Sequence, residues 1–261
     1  MLKKERNELR DFYETIAKAN SYYKSKKKFP AVRYRHEKRI EDTIRMMRES
    51  RGKMTLDVGC GKGDITCFLA LFTRFVIGID ISKFNSKLAK KKSKLSNVSD
   101  FTDFVVCDAE KLPFKKTFDY IACPEVIEHI QNPTKFILGM KSVLKKNGHI
   151  IVSTPSKFSL LENTVKIVKM PIIRKVMDNL YKIENVGHVH LFSPTDLENL
   201  LVSTGGKITK RKITGFYLPG AELIPLQMFP ARIWRLLDNV VAKVPVYKCL
   251  NCCMIYDSIY E

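Results

Sequence analysis

Three carboxylates, three glycines and one Glu-x-x-Glu-His run have the types and spacing for chemistry in this chain. Gly59, Gly61 and Gly63 follow the apolar run Met54 to Val58 and precede a helical pattern from Ile65 to Phe72. Glycine there lets a strand turn tightly into a helix and lets the backbone approach a ligand closely. The spacing is G-x-G-x-G, whereas the fingerprint that cradles a dinucleotide pyrophosphate is G-x-G-x-x-G. Asp57 stands two residues before Gly59. A carboxylate so close serves a pyrophosphate poorly, and serves a sulfonium cation with an amino-acid tail well. Asp80 ends the next apolar run, Val76 to Asp80. A carboxylate at the tip of a second strand is placed to accept hydrogen bonds from ribose hydroxyls. Asp108 follows the third run, Val105-Val106-Cys107, and can accept a hydrogen bond from an adenine amino group.

The second candidate centre is Pro124-Glu125-Val126-Ile127-Glu128-His129-Ile130. Glu125 and Glu128 are three apart and Glu125 and His129 four apart, so on a helical turn all three project to one side. Such a group can hold a divalent cation. It can instead supply a general base, His129, oriented by Glu128. The plainer alternative is that Glu128 caps the next helix and His129 hydrogen-bonds a substrate or the backbone.

The elements that must position these residues are short apolar runs alternating with amphipathic segments. Met54–Val58, Phe75–Ile79, Phe104–Cys107, Tyr120–Cys123 and His149–Ser153 read as strands. Ile65–Phe72, Ser82–Leu95 and Thr134–Leu144 read as helices between them. Strand–helix alternation implies an α/β fold with a parallel sheet covered on both faces. Ser193-Pro194 starts a further helix with Leu197, Leu200 and Leu201 on its buried face, ended by Gly205-Gly206. Lys207–Thr214 reads as a strand, and Cys252–Tyr260 as a last strand returning to the sheet. Around this core the chain divides into a charged helical extension at 1–50, a core at 51–155, and helical insertions plus the rest of the sheet at 156–261. In the extension, Tyr34–Arg48 reads as a helix, and Tyr13, Ile16, Tyr22 and Tyr23 are placed to cover a site mouth. Within the insertions, Pro230–Lys243 is a basic, apolar cap with Ile233, Trp234, Leu237, Val240 and Val241 on one face.

With 45% hydrophobic residues the chain can bury a sizeable core, which excludes global disorder. No apolar run approaches the ~20 residues that span a bilayer. The charged N-terminus does not read as a signal peptide, so a cytoplasmic setting is expected. The net charge of +19 points to an anionic partner: RNA, lipid head groups at a membrane surface, or a phosphorylated substrate. Lys87, Lys90, Lys91, Lys92 and Lys94 form one local concentration. Among seven cysteines, Cys60, Cys67, Cys107 and Cys123 fall in or beside core elements, where thiols pack as small apolar groups. Cys249, Cys252 and Cys253 offer one C-x2-C with no second pair, a weak zinc pattern.

These pieces together resemble a class I, Rossmann-type S-adenosylmethionine (SAM)-dependent methyltransferase. The resemblance rests on Leu-Asp-Val-Gly-Cys-Gly-Lys-Gly at 56–63, Gly-Ile-Asp at 78–80, and Asp-Ala-Glu-Lys-Leu-Pro-Phe at 108–114. It continues with Phe-Asp-Tyr-Ile-Ala-Cys at 118–123 and Leu-Lys-Lys-Asn-Gly-His-Ile-Ile-Val-Ser-Thr-Pro at 144–155. It implies a doubly wound, mostly parallel sheet of seven strands with the last one antiparallel. It also implies SAM held by Asp57, Gly59, Cys60, Gly61, Asp80, Ile81, Asp108, Ala109 and Pro124. Glu-Val-Ile-Glu-His is similar to a segment of the ubiquinone-biosynthesis O-methyltransferases and of small-RNA 2′-O-methyltransferases, where it goes with a magnesium-type metal. The RNA enzymes add a histidine just before a Phe and a helix start. Gly187-His188-Val189-His190-Leu191-Phe192-Ser193-Pro194 occupies a comparable place, and in an extended segment His188 and His190 share a face. The resemblance thus implies Glu125, Glu128, His129 and His190 as ligands of Mg²⁺ or another divalent cation.

Two enzyme readings follow: an O-methyltransferase acting on a small lipid-, quinone- or glycosyl-like hydroxyl near an anionic membrane, or an RNA methyltransferase. A non-catalytic SAM binder and a nicotinamide-dependent oxidoreductase are the readings outside that class.

Overall fold

The computed structural model describes residues 30–157, 188–216, 230, 232–236 and 251–261. Helix α1 (Pro30–Met46) leads into strand β1 (Met54–Val58), helix α2 (Asp64–Leu69), strand β2 (Phe75–Asp80) and helix α3 (Lys83–Leu95). Strands β3 (Thr102–Val106) and β4 (Phe118–Pro124) follow, then helix α4 (Pro133–Val143) and strand β5 (Leu144–Pro155). Helix α5 (Pro194–Ser203) and strands β6 (Gly206–Phe216) and β7 (Asn251–Tyr260) complete the core. The seven strands lie in the order β3-β2-β1-β4-β5-β7-β6. All neighbours from β3 to β5 are parallel, and β7 runs antiparallel to both β5 and β6. The α/β sheet with an antiparallel last strand is thus observed. β3 begins two residues earlier than its apolar run, because Thr102 and Asp103 pair with Val76 and Ile77.

The strands have two buried faces, and their side chains alternate between two cores. Leu56, Val58, Ile121, Cys123, Ile150 and Val152 join Phe136, Ile137 and Met140 of α4 and Leu197 and Leu201 of α5. On the other face, Val76, Tyr120, Ala122, Ile151 and Ile255 meet Met46 of α1 and Ile65 and Leu69 of α2. Helix α5 starts with a full capping box between Ser193 and Asp196, with Pro194 in its first turn. Asn132, rather than Glu128, caps α4 through its side chain. Among the described cap residues, Trp234 is buried while Arg232 and Arg235 are exposed. The expected helical insertion at 156–185 is almost wholly outside the described residues, as are Tyr13, Ile16, Tyr22, Tyr23, Leu237, Val240, Val241 and Cys249.

Helix α1 is pinned across the end of the sheet by a buried carboxylate. Asp42 is fully buried and accepts hydrogen bonds from Lys212 Nζ (2.7 Å), Thr214 Oγ1 (2.5 Å) and Lys38 Nζ (2.9 Å). Burial alone would raise its pKa, but these donors outweigh burial and lower it.

Candidate active site

Strand order reverses between β1 and β4, and ligands of open α/β sheets bind in the crevice beyond the strand ends at such a point. A cleft lies there, lined by Gly59, Asp80, Ile81, Asp108, Ala109, Glu125 and His129 among others. Its empty space, open to solvent, is about 750 Å³. One wall comes from the glycine loop and β2, another from the segment after β3, and the third from the turn after β4.

The glycine loop needs its glycines for two separate reasons. Gly59 has φ 70°, and a Cβ there would fall 2.3 Å from Val126 Cγ2. It is therefore the point where the loop touches the turn after β4. Gly61 has φ 53°, which glycine adopts without steric cost, and open space where a Cβ would stand. Asp80 braces this loop: Oδ2 accepts from Gly61 N–H (2.9 Å), and Oδ1 from Ser82 N–H (2.8 Å) and Asn85 Nδ2 (3.4 Å). Asp108 Oδ1 accepts from Glu110 N–H at 2.9 Å and lines the opposite end.

Asp57 differs from the other two acids. It lies within β1, is fully buried, and accepts from Thr66 Oγ1 at 2.6 Å. Its other oxygen, Oδ1, is buried without a hydrogen bond among the described residues. Burial pushes its pKa up to about 7, with Thr66 opposing and the nearby Asp80 and Asp64 adding. Cys60 is buried behind the loop, its thiol pushed up by burial, and Pro124 is the last residue of β4.

The turn after β4 departs from the helical expectation. Glu125 has φ 55°, and only Ile127–His129 forms a turn, of the 3-10 kind. Glu125 and His129 both line the cleft, whereas Glu128 is buried. Glu125 Oε2 accepts from Arg39 Nη1 of α1 at 2.8 Å, and Oε1 from Ser153 Oγ at 3.2 Å and Cys253 Sγ at 3.4 Å. Glu128 is fully buried: Oε2 accepts from Thr154 Oγ1 at 3.2 Å, and Oε1 has no hydrogen bond among the described residues. Burial first, and then the Glu125 charge, drive the Glu128 pKa well above the carboxylate range.

The histidine segment is stitched to this turn. Val189 and His190 N–H both donate to Glu128 O, at 2.8 and 3.0 Å, and Ser156 bridges Phe192. Two successive N–H groups on one carbonyl curl the chain, so His188 and His190 do not share a face. His190 Nε2 turns to Gln131 O at 3.2 Å. His188 stacks at a tilt on His129, ring centroids 4.9 Å apart. Glu128, His129 and His188 offer ligand atoms within 4.8 Å of one another. The structure therefore brings together Glu128 and His129 with His188, and leaves Glu125 and His190 facing other partners. Cys253 lies inside β7 and its thiol donates to Glu125, while Cys249 and the Cys252 side chain of the C-x2-C pattern lie outside the described residues.

A family model described as "Methyltransferase domain" matches residues 49–205. The chain belongs to this methyltransferase family. A ubiquinone biosynthesis O-methyltransferase of Rickettsia akari is 31% identical over 197 residues, 75% of this chain and 70% of that protein. The mitochondrial ubiquinone biosynthesis O-methyltransferase of Schizosaccharomyces pombe is 30% identical over 126 residues. That alignment spans about half of either protein, 45% of this chain and 46% of the relative. The magnesium protoporphyrin IX methyltransferase of Synechocystis with bound SAH shares the fold, with TM-score 0.62 and 17% identity over 88% of this chain and 86% of that one. The protein is a class I SAM-dependent methyltransferase, and its cofactor is SAM. The site fits that group: a glycine loop with open space at Gly61, a buried oxygen of Asp57 with no hydrogen bond among the described residues, and acids near the ends of β1, β2 and β3.

Arg39, Ser153, Cys253 and Asn85 are site neighbours with no signal in the local sequence. Arg39 is 86 residues from Glu125 and lies outside the matched domain.

Proposed function

We propose that this methyltransferase transfers the methyl group of SAM to a hydroxyl of a small, quinone- or phenol-like acceptor. The observation that carries this reading is the convergence of Glu128, His129 and His188 at the edge of the donor cleft, where His129 and Glu125 also line it. When bound, SAM supplies an electrophilic methyl on a sulfonium, so the protein need only align the acceptor and remove its proton. On the donor side, Asp80 receives the ribose hydroxyls, Asp108 and Ala109 the adenine, and the glycine loop with Asp57 the amino-acid tail. On the acceptor side, His129 takes the hydroxyl proton, with Glu128 Oε1 4.0 Å from its Nε2. The same donor set of two imidazoles and a carboxylate suits a divalent cation. Glu128, His129 and His188 would hold it, and it would acidify the acceptor hydroxyl.

The reading extends to where the enzyme works. We propose a cytoplasmic protein that touches anionic membrane peripherally. No helix among the described residues is long and apolar enough to cross a membrane. Helix α3 exposes Lys83, Lys87, Lys90, Lys91 and Lys94, while Lys92 instead pairs with Asp64. At ~100° per residue these five fall within an arc of about 100°, a single basic stripe. Like charges so placed repel each other and favour an anionic surface.

Labelled SAM offered with polyhydroxylated phenols, with RNA, and with anionic vesicles tests the acceptor. The methyl is expected on the phenolic oxygen. Label in RNA, with a steep loss of RNA affinity as salt rises, would overturn the small-molecule reading in favour of nucleic acid.

Asp57 gives this site a pH signature. A carboxyl raised to about 7 binds its proton more tightly in the folded than in the unfolded chain. Its contribution to stability is therefore full below the ordinary carboxylate range and is lost as pH rises through about 7. A cofactor carrying an ammonium and a sulfonium favours the ionised form. SAM affinity should therefore rise by up to about tenfold per pH unit below that pKa and level off above it. Calorimetric titration across that range checks this, with Asp57→Asn expected to flatten the profile. An unchanged slope in Asp57→Asn would remove Asp57 from the cofactor contacts.

A further inference from the structure

Glu125 is where the donor cleft, the turn after β4 and helix α1 meet. It takes φ 55°, in the left-handed region that residues other than glycine adopt uncommonly. Its backbone N–H donates to Ser153 O at 2.9 Å, which fixes the chain direction but leaves the side chain to be placed. The side chain is placed by Ser153 Oγ and Cys253 Sγ on one oxygen and Arg39 Nη1 on the other. The next residue, Val126, is the one that Gly59 must avoid, and the turn bearing Glu128 and His129 begins one residue later. Any rotation at Glu125 therefore moves the acceptor-side histidine relative to the glycine loop.

Of the groups on Glu125, Arg39 is the charged one. The two side chains are partly exposed, at 24% and 19%, so the pair is sheltered from solvent without being sealed. The guanidinium is itself oriented. Its Nη2 lies 3.3 Å from His36 Nδ1, and His36 Nε2 lies 3.8 Å from Asp64, the first residue of α2. The helix that carries both is anchored elsewhere, through Asp42 to β6. Arg39 thus has a base anchored through Asp42 and reaches both His36 and Glu125.

We propose that Arg39 is a positioning residue for methyl transfer: by holding Glu125 in its left-handed conformation, it sets the distance between the Ile127–His129 turn and the glycine loop. Arg39 touches neither acceptor nor cofactor and acts through its contact with Glu125. The proposal rests on the reading of His129 as the acceptor-side residue. It assigns to helix α1, which lies outside the matched methyltransferase domain, a part in the geometry of the site.

The test compares Arg39→Gln, Arg39→Lys and Asp42→Asn in the full chain. Asp42→Asn loosens the same helix without touching Glu125. For Arg39→Gln, hydrogen exchange at Val126–Ile130 should quicken about tenfold. Its kcat should fall about 30-fold while SAM affinity changes less than about threefold. Arg39→Lys should recover part of the rate, since lysine keeps the charge but cannot address Glu125 and His36 together. Asp42→Asn, which leaves the Arg39 and Glu125 side chains themselves intact, should lower Tm and quicken exchange at Val126–Ile130 by less than about threefold. Wild-type exchange and rate in Arg39→Gln would overturn the proposal. So would an identical pattern in Arg39→Gln and Asp42→Asn, which would mean that Arg39 only docks the helix. If the wild type methylates no hydroxyl acceptor, the acceptor reading fails, and the exchange measurement still decides the role of Arg39.

Discussion

Asp80→Ala is expected to weaken SAM binding at least about 100-fold, because two ribose hydroxyls lose a charged acceptor worth roughly 1.5–3 kcal/mol per hydrogen bond. The effect has a second source inside the protein. Asp80 also holds the N–H groups of Gly61 and Ser82, so the glycine loop loses its brace along with the ribose its partner. Asp80→Asn separates the two contributions. The amide oxygen can still accept one of the backbone N–H groups, but the charge is gone, so its affinity should fall between wild type and alanine. Calorimetry gives the affinities, and thermal unfolding without SAM reports the brace alone. If Asp80→Ala binds SAM as the wild type does, the ribose is held elsewhere. If it loses SAM yet keeps its biological activity, the protein acts as something other than an enzyme.

The second large effect is expected at His129. His129→Ala should lower the transfer rate about 10²–10⁴-fold, the range general-base catalysis supplies, with SAM affinity nearly unchanged. The loss is expected whether His129 removes the proton itself or holds a cation that acidifies the hydroxyl. Chelation tells these apart. With a cation at Glu128, His129 and His188, EDTA should abolish transfer without displacing SAM, and His188→Ala should weaken the response to added Mn²⁺ or Mg²⁺. Full activity in EDTA leaves His129 as the base and removes the cation from the account. Because Glu128 Oε1 is buried without a hydrogen-bond donor among the described residues, Glu128→Gln should cost little stability while cutting the rate.

The donor half was readable in the sequence because its determinants are local. Gly59, Gly61 and Asp57 lie within five residues, and Asp80 and Asp108 end or follow apolar runs that are strands for a plain reason: both faces of the sheet are buried. Periodicity found β2 and the antiparallel β7 nearly to the residue. It missed the first two residues of β3, which pair as backbone in spite of their polar side chains. The acceptor half was less legible. The i, i+4 rule assumes a helix, and a single turn of 3-10 geometry preceded by a left-handed Glu125 breaks it. Likewise the rule that residues two apart share a face assumes an extended strand. The double donation of Val189 and His190 N–H to Glu128 O curls that segment and brings His188 to the site in place of His190. Arg39 had no local signal at all, since its partner is 86 residues away and is reached only once α1 folds across the sheet.

A structure of the protein with S-adenosylhomocysteine and Mn²⁺ tests the account most directly, because it fixes both halves of the site at once. The account predicts the ribose on Asp80, the adenine beside Asp108, and the sulfur facing the turn that carries His129. It also predicts the ion bound by Glu128, His129 and His188. A cofactor lying away from Asp80, or a sulfur turned away from the Ile127–His129 turn, would contradict it.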